Sequence, residues 1–294
     1  MGRLQLSVGV CAYNEAKNLE AIVSQLLSQR LDNAVLKELI IVSSGSTDGT
    51  DAIARRLAAR DSRVVFLRER KRKGKVSAVN KVLGRARGDI VVLSGADLRL
   101  EDDTLDRMVA GFSNENVGMV GARPVPVNDK GTLFGFCSHL IWKMHHTISL
   151  TSPKCGEFVA IRNNGYIIPK GTTVDEAYLE WAFRKDGYSL AYAPDAIVRN
   201  RGPENLRDYI AQRRRIHAHH LQLRSSTGYG VSTTDSAAVL KAFLSTLEPD
   251  PKKLIFSGIG VALEGVSSLL GAYDVYIRND GHQCWEVAAS TKEI

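Results

Sequence analysis

The stretch Leu39–Thr50, LIIVSSGSTDGT, constrains the fold more than any other part of the chain. A short apolar run bounded by turn residues reads as a fully buried, parallel strand. It runs directly into Ser, Gly, Asp and Thr. Gly45 and Gly49 there can adopt positive φ, and the short polar side chains can bond free backbone N–H groups. Helix-forming DAIARRLAAR follows. A strand–turn–helix of this kind sets its polar turn at the carboxyl edge of a sheet, where open α/β proteins bind nucleotides.

Three further units repeat the pattern. Leu4–Ala12 is largely apolar, and Tyr13-Asn14-Glu15 then opens the helix AKNLEAIVSQLL, whose Leu19, Ile22, Val23, Leu26 and Leu27 recur at helical spacing. Val64–Leu67 leads into the basic run RERKRKGK and the helix KVSAVNKVLGRA. Asp89–Leu93 leads into Ser94-Gly95-Ala96-Asp97. Strands separated by helices predict a parallel sheet with right-handed crossovers, so the polar turns should gather along one edge.

The net charge of +7 points to an anionic partner such as nucleotide phosphates, anionic lipid or nucleic acid. No dedicated motif accompanies the charge, so nucleic acid is not an expected partner. Cys11, Cys137, Cys155 and Cys284 lie far apart without a CxxC pair, which argues against a zinc site or disulfide framework. A reduced, cytoplasmic setting fits that usage. LSVGVCAY is interrupted at once by Asn14-Glu15 and does not read as a signal peptide.

Taken in order, AYNE, SSGSTDGT, GKVSAVN, GAD, VDEAYLEWAFRKDGY and QRRRI resemble the motifs of family 2 glycosyltransferases with the GT-A fold. The resemblance covers roughly Leu4 to Leu221. It implies an α/β fold with a mostly parallel twisted sheet flanked by helices, a catalytic domain over 1–221 and a C-terminal extension over 222–294. It implies a hexosyltransferase-like enzyme that moves a sugar, with inversion, from a UDP- or GDP-linked donor to a hydroxyl acceptor, lipid or glycan. The nucleotide-binding positions it implies are Ala12, Tyr13, Glu15, Ser44, Ser46, Lys75, Asn80, Ala96 and Asp97. Mg2+ or Mn2+ would be held through Asp97, where one carboxylate, two phosphates and waters suffice. Glu176 falls at the general-base position, with Asp175 as the alternative; Gln212, Arg214 and Arg215 fall at diphosphate or acceptor positions. Arg123–Asn128 and Lys154–Arg162 are expected to border the acceptor.

The chain departs from the family pattern at four places. Ser43 and Ser44 stand where two aspartates are common, and Gly95 replaces the first acid of Asp-x-Asp. The acid pair reads Asp-Glu rather than Glu-Asp, and Ile216 replaces a tryptophan, which puts processive synthesis in doubt. A degenerate protein that binds nucleotide without turnover therefore stays open as a second reading. A nucleotidyltransferase is a third, although AYNE lacks the Gly-rich, basic loop such an enzyme wants after its first strand. Plain structural roles also stay open: Asn14-Glu15 and Asp97 as helix caps, Asp48 as a turn residue, Asp175-Glu176 as complements to a helix N-terminus. His219 and His220 point to different helix faces, so the cluster His217, His219 and His220 reads as polar lining or surface rather than as metal ligands.

In the tail, RSSTGYGVSTT reads as a flexible closing segment. Beyond it, Ile255, Ile259, Ala262, Leu263, Val266, Leu269, Leu270 and Tyr273 form one face of a helix long enough to span a bilayer. Glu264 near its centre argues against spanning. The helix is expected either to lie at a membrane surface or to pack on the enzyme, with Lys252-Lys253 favouring the membrane, at the inner face of the cell membrane.

Overall fold

The computed structural model describes residues 3–278, 289–292 and 294. The chain opens with β1 (Leu4–Ala12), α1 (Leu19–Leu27), β2 (Ala34–Ser44), α2 (Thr50–Arg60), β3 (Val64–Glu69), α3 (Lys75–Arg85) and β4 (Ile90–Gly95). These are the four units expected from the sequence. They are followed by β5 (Arg99–Leu100), α4 (Thr104–Val109), β6 (Val117–Pro126), α5 (Leu133–Ser149), β7 (Phe158–Arg162), α6 (Asp175–Lys185) and β8 (Ser189–Asn200). Among the described residues, three longer helices follow: α7 (Leu206–Thr227), α8 (Ser236–Thr246) and α9 (Pro251–Tyr273).

The strands form a single sheet in the order β3-β2-β1-β4-β7-β6-β8-β5. The β3-β2-β1-β4 half is parallel throughout. β7 enters antiparallel to both β4 and β6, β6 and β8 are parallel, and β5 closes the edge antiparallel to β8. The sheet is thus mostly parallel, with β7 and β5 opposing the common direction.

Period-two alternation splits the apolar strands between two cores. Leu6, Val8, Val10, Leu39, Ile41, Ile90 and Val92 pack with Leu19, Ile22, Leu26 and Met108 on one face. Ile40, Val42, Val91 and Leu93 pack with Val79, Val82, Leu179 and Phe183 on the other. Covered on both sides, these strands must be apolar almost without interruption. Each fully buried Leu, Ile or Val contributes about 1.5–3 kcal/mol. At the turn after β2, Gly45 takes φ +69, and a Cβ there would lie 2.4 Å from the Arg72 backbone nitrogen. Only glycine fits, so the basic loop can close against the nucleotide-type turn.

Asn205 caps α7 by accepting from the Asp208 N–H, and the helix continues through 224–227 to Gly228 at φ 74. Asp250 caps α9, with Pro251 in its first turn. The apolar face of α9 does not turn inward. Ser257, Gly260, Ser267 and Gly271 face the enzyme, whereas Leu254, Ile255, Ile259, Val261, Val266, Leu269 and Tyr273 are exposed. The small residues permit close approach to α7: a Cβ at Gly271 would sit 2.7 Å from Arg214 O.

Candidate active site

The carboxyl ends of β1 to β4 meet the amino end of β7 along one sheet edge. The loops after β1 and β2 are bonded to each other there. Asn14, at φ 54, sends its N–H to Ser46 Oγ at 3.1 Å and accepts from the Thr47 N–H at 2.8 Å. The Glu15 N–H reaches Thr50 Oγ1 at 2.8 Å, and the Ala16 N–H reaches Asp48 Oδ2 at 3.1 Å. Arg72 stacks its guanidinium 4.1 Å from the centroid of Tyr13, so part of the basic run belongs to this site. Ala12 and Ala96 are buried and present only backbone.

The two serines that depart from the family pattern have a local reason. Ser43 Oγ donates to Asp51 Oδ1 and Ser44 Oγ donates to Glu69 Oε2, each at 2.6 Å. Carboxylates from elsewhere in the chain already face both positions. An aspartate at 43 or 44 would oppose one of them at short range.

Lys75 begins α3 and reaches the start of α6. Its Nζ lies 3.1 Å from Asp175 Oδ2 and pairs directly with Glu176 Oε1. Asp175 is 3% exposed. Burial first and the Glu176 charge second raise its pKa, against the pull of Lys75. At Glu176 burial also acts upward, but the Lys75 ammonium and the hydrogen bonds outweigh it and hold the carboxyl below its ordinary range. Asn80 is engaged elsewhere. Its amide donates to Ile168 O at 2.8 Å and accepts from the Ile168 N–H at 2.9 Å, pinning the loop ahead of α6.

A cavity lies beside this cluster. Asp97 and Glu157 line it from the sheet edge, Trp142 from α5, Asn200 from the end of β8, and Gln212 and Ile216 from α7. The acid pair at 175–176 stands outside that lining. Loss of solvation around its carboxyl, and the Asp97 charge after it, push Glu157 up to about 7. Asp97 leans over Gly95, where a built Cβ would fall 2.7 Å from Asp97 Oδ1. Burial brings the Arg215 pKa down to about 10, against the pull of Glu157.

Arg214 points away from the cavity. It forms a bidentate pair with Asp274, just past α9. Glu264 of α9 accepts from Tyr209 OH at 2.8 Å, from Arg213 Nε and Nη2 at 2.8 Å each, and bonds His217 Nε2 at 3.1 Å. Burial pushes the His220 pKa down to about 3. Among the described residues no three His, Cys, Asp or Glu side chains converge as a metal cluster.

The C-terminal segment returns to the same edge. Lys292 pairs with Glu15 and donates to Tyr13 O at 3.0 Å. Asn18 and Arg99 hold the backbone oxygens of Lys292 and Ile294, and Ser290 Oγ donates to Asp208. Burial, then Asp97, raise the Glu15 pKa, and Lys292 works against them.

Sheet order and edge loops gather these polar side chains where open α/β sheets bind ligands. The model of the family Glycosyl transferase family 2 matches residues 7–169, and the chain belongs to that family. It is a glycosyltransferase of the GT-A fold. It is 31% identical over 125 residues to a dolichol-phosphate mannosyltransferase of Pyrococcus furiosus, covering 42% of this chain and 34% of that protein. It is 33% identical over 125 residues to a beta-monoglucosyldiacylglycerol synthase of Synechocystis, covering 41% of this chain and 26% of that protein. The chain therefore spans only about a quarter to a third of these relatives. Among solved structures it resembles the mannosyltransferase PcManGT from Pyrobaculum calidifontis in complex with GDP-Man and Mn2+. The TM-score is 0.66 and the identity 23%, over 95% of this chain and 89% of that one.

Three residues at this edge carry no signal in the sequence. Glu157 falls inside the segment expected near the acceptor, but nothing in CGEFVAIR singles it out. Asn200 and Lys292 lie outside every motif. Only the folded sheet and the returning tail bring them in.

Proposed function

We propose that this glycosyltransferase acts with inversion, moving a sugar from a UDP- or GDP-linked donor to a hydroxyl of a lipid or glycan acceptor at a membrane surface. The observation that carries the reading is Lys75 bridging Asp175 and Glu176 at the same sheet edge as Asp97. In this reading Tyr13, Glu15 and the loop at Ser46 receive the nucleoside. Glu176 takes the proton of the acceptor hydroxyl. Lys75 keeps Glu176 ionised but weakly basic, and an entering diphosphate competes for the same ammonium. Gln212 and Arg215 serve the diphosphate or the acceptor.

Asp97 fits a divalent cation. Its carboxylate sits two residues past the buried strand β4, makes no hydrogen bond or ion pair among the described residues, and has the open space of Gly95 to turn into. Mg2+ and Mn2+ take one or two carboxylates and fill their shells with phosphate oxygens and water. The cation, when bound, supplies positive charge for the departing diphosphate. The Pyrobaculum neighbour was solved with GDP-Man and Mn2+, and the more distant GalNAc-T7 (TM-score 0.53, 13% identity) with UDP, GalNAc and Mn2+.

A panel of UDP- and GDP-sugars, each with and without Mn2+, tests the reading by thermal shift and turnover. One sugar nucleotide should raise Tm in a metal-dependent way, since a native-state ligand stabilises by mass action. Asp97→Ala should remove that dependence together with turnover. Full activity in chelator would overturn the metal role and leave the diphosphate to Lys75 and Arg215. A Tm response to nucleotide with no transfer to any acceptor would favour the degenerate binder, which Ser44 and Gly95 encourage.

The membrane part rests on the outward apolar face of α9; α8 also exposes Leu240 and Leu244. The segment Pro251–Arg278 is long and apolar enough to cross a membrane, with mean hydropathy 1.6 in its most apolar window. Its Glu264 is already neutralised against α7, so the exposed face carries no buried-charge penalty. In this reading the enzyme works in the cytoplasm, at the inner membrane face.

A further inference from the structure

Gly95 leaves the sheet-edge site one acid short of the Asp-x-Asp pattern, and the β4–β7 ladder points to a replacement. Ile90 pairs with Arg162 and Ser94 with Phe158. One step further along the same register sets Gly95 opposite Glu157. Glu157 holds φ 61, a left-handed conformation unusual for a side-chain-bearing residue, and the Phe158 N–H closes on Gly156 O at 2.6 Å around it. Its side chain lines the same cavity as Asp97. Among the described residues neither carboxylate has a hydrogen bond or ion pair.

A third oxygen-bearing side chain belongs to the wall of that cavity. Asn200 lines it, is 6% exposed, and has its Oδ1 buried without a donor. Buried acceptors in folded proteins are nearly always paired, so an orphan in a ligand cavity marks a missing partner. Two free carboxylates and an orphan amide oxygen are acceptors only. Such a set suits a hard divalent cation, which takes carboxylate and amide oxygens directly or through water.

We propose that Glu157 is the second carboxylate of the divalent-cation site, filling in space the place that Gly95 leaves, with Asn200 Oδ1 as a neutral oxygen ligand. The proposal rests on Asp97 anchoring the cation, as argued above. Two carboxylates reaching one ion from neighbouring strands keep the charge count of an Asp-x-Asp motif while drawing it from distant parts of the chain.

Mn2+ binding to the full chain, read from the EPR signal of free Mn2+ with UDP, with GDP and with neither, tests this without relying on turnover. Glu157→Gln should weaken Mn2+ binding by about 10- to 100-fold, a range that even outer-shell partners of a metal command. Adding Gly95→Asp to Glu157→Gln should restore most of it. The Cβ at 95 meets only the movable end of Asp97, so that substitution can be accommodated. Glu157→Gly should weaken Mn2+ binding while raising Tm, because it relieves the left-handed backbone. It also keeps the test available if the Gln variant folds poorly. Wild-type Mn2+ affinity in both Glu157 variants, with loss in Asp97→Asn, would overturn the proposal and leave the glycosyltransferase reading standing. Wild-type affinity in Asp97→Asn as well would instead remove the cation from the site altogether.

Discussion

Burial raises the pKa of one of two adjacent carboxyls and Lys75 lowers that of the other, and the base assignment follows from that. Glu176 is kept ionised; Asp175 is buried and holds its proton up to about 7. Glu176→Gln should lower kcat by roughly 10²- to 10⁴-fold, the usual cost of losing a general base, with little change in donor affinity. Asp175→Asn should do less. A larger kcat loss in Asp175→Asn than in Glu176→Gln would reverse the assignment. The pH profile gives a second check. Glu176 stays ionised across the acid range, so kcat/KM should hold through pH 7; a fall on the acid side with an apparent pKa near 7 would instead mark Asp175 as the base. Stability does change there: the folded Asp175 pKa lies above its unfolded value, so its ionisation removes stability as pH rises toward 7.

At the scale of elements, α9 is an amphipathic helix worn inside out. Its small and charged side meets α7, and its apolar side meets solvent. Ile255→Glu with Leu269→Glu should abolish flotation with anionic liposomes while leaving Tm nearly unchanged, because exposed positions alter stability by only about 0.5 kcal/mol. Equal flotation of variant and wild type would remove the membrane from the reading; a large drop in Tm would show that the face packs on protein instead. The sequence period separates the two faces of α9 but does not say which one the enzyme takes. That choice depends on Tyr209, Arg213 and His217, far away in the chain, which neutralise Glu264. The first four strands were legible for a simpler reason: each is an apolar run with its polar turn and helix adjacent. β7 and its antiparallel insertion were not, since FVAIR looks like any short buried segment and its place depends on long-range pairing. The site divides the same way. Asp97, Lys75 and the acid pair are motif residues, while Glu157 acquires its neighbour only through the sheet.

For the whole molecule, the return of the C-terminal segment to the first loop closes the chain on itself. Ser290 is fastened to α7 through Asp208, and Lys292 reaches Glu15 beside Tyr13. If Glu15 receives the nucleoside, Lys292 must leave it first. Lys292→Ala should then tighten nucleotide binding in calorimetry, by an amount set by how often the tail is docked; identical affinity would show that Lys292 and the nucleotide share Glu15 without conflict. Because this competitor is covalently attached, diluting the protein does not remove it. A tail docked for about 90% of the time would raise the apparent Kd about tenfold over the intrinsic value. An affinity measured on this enzyme is then a product of two equilibria, and a tag, cleavage or partner at the C-terminus would shift it without touching any residue that contacts the donor.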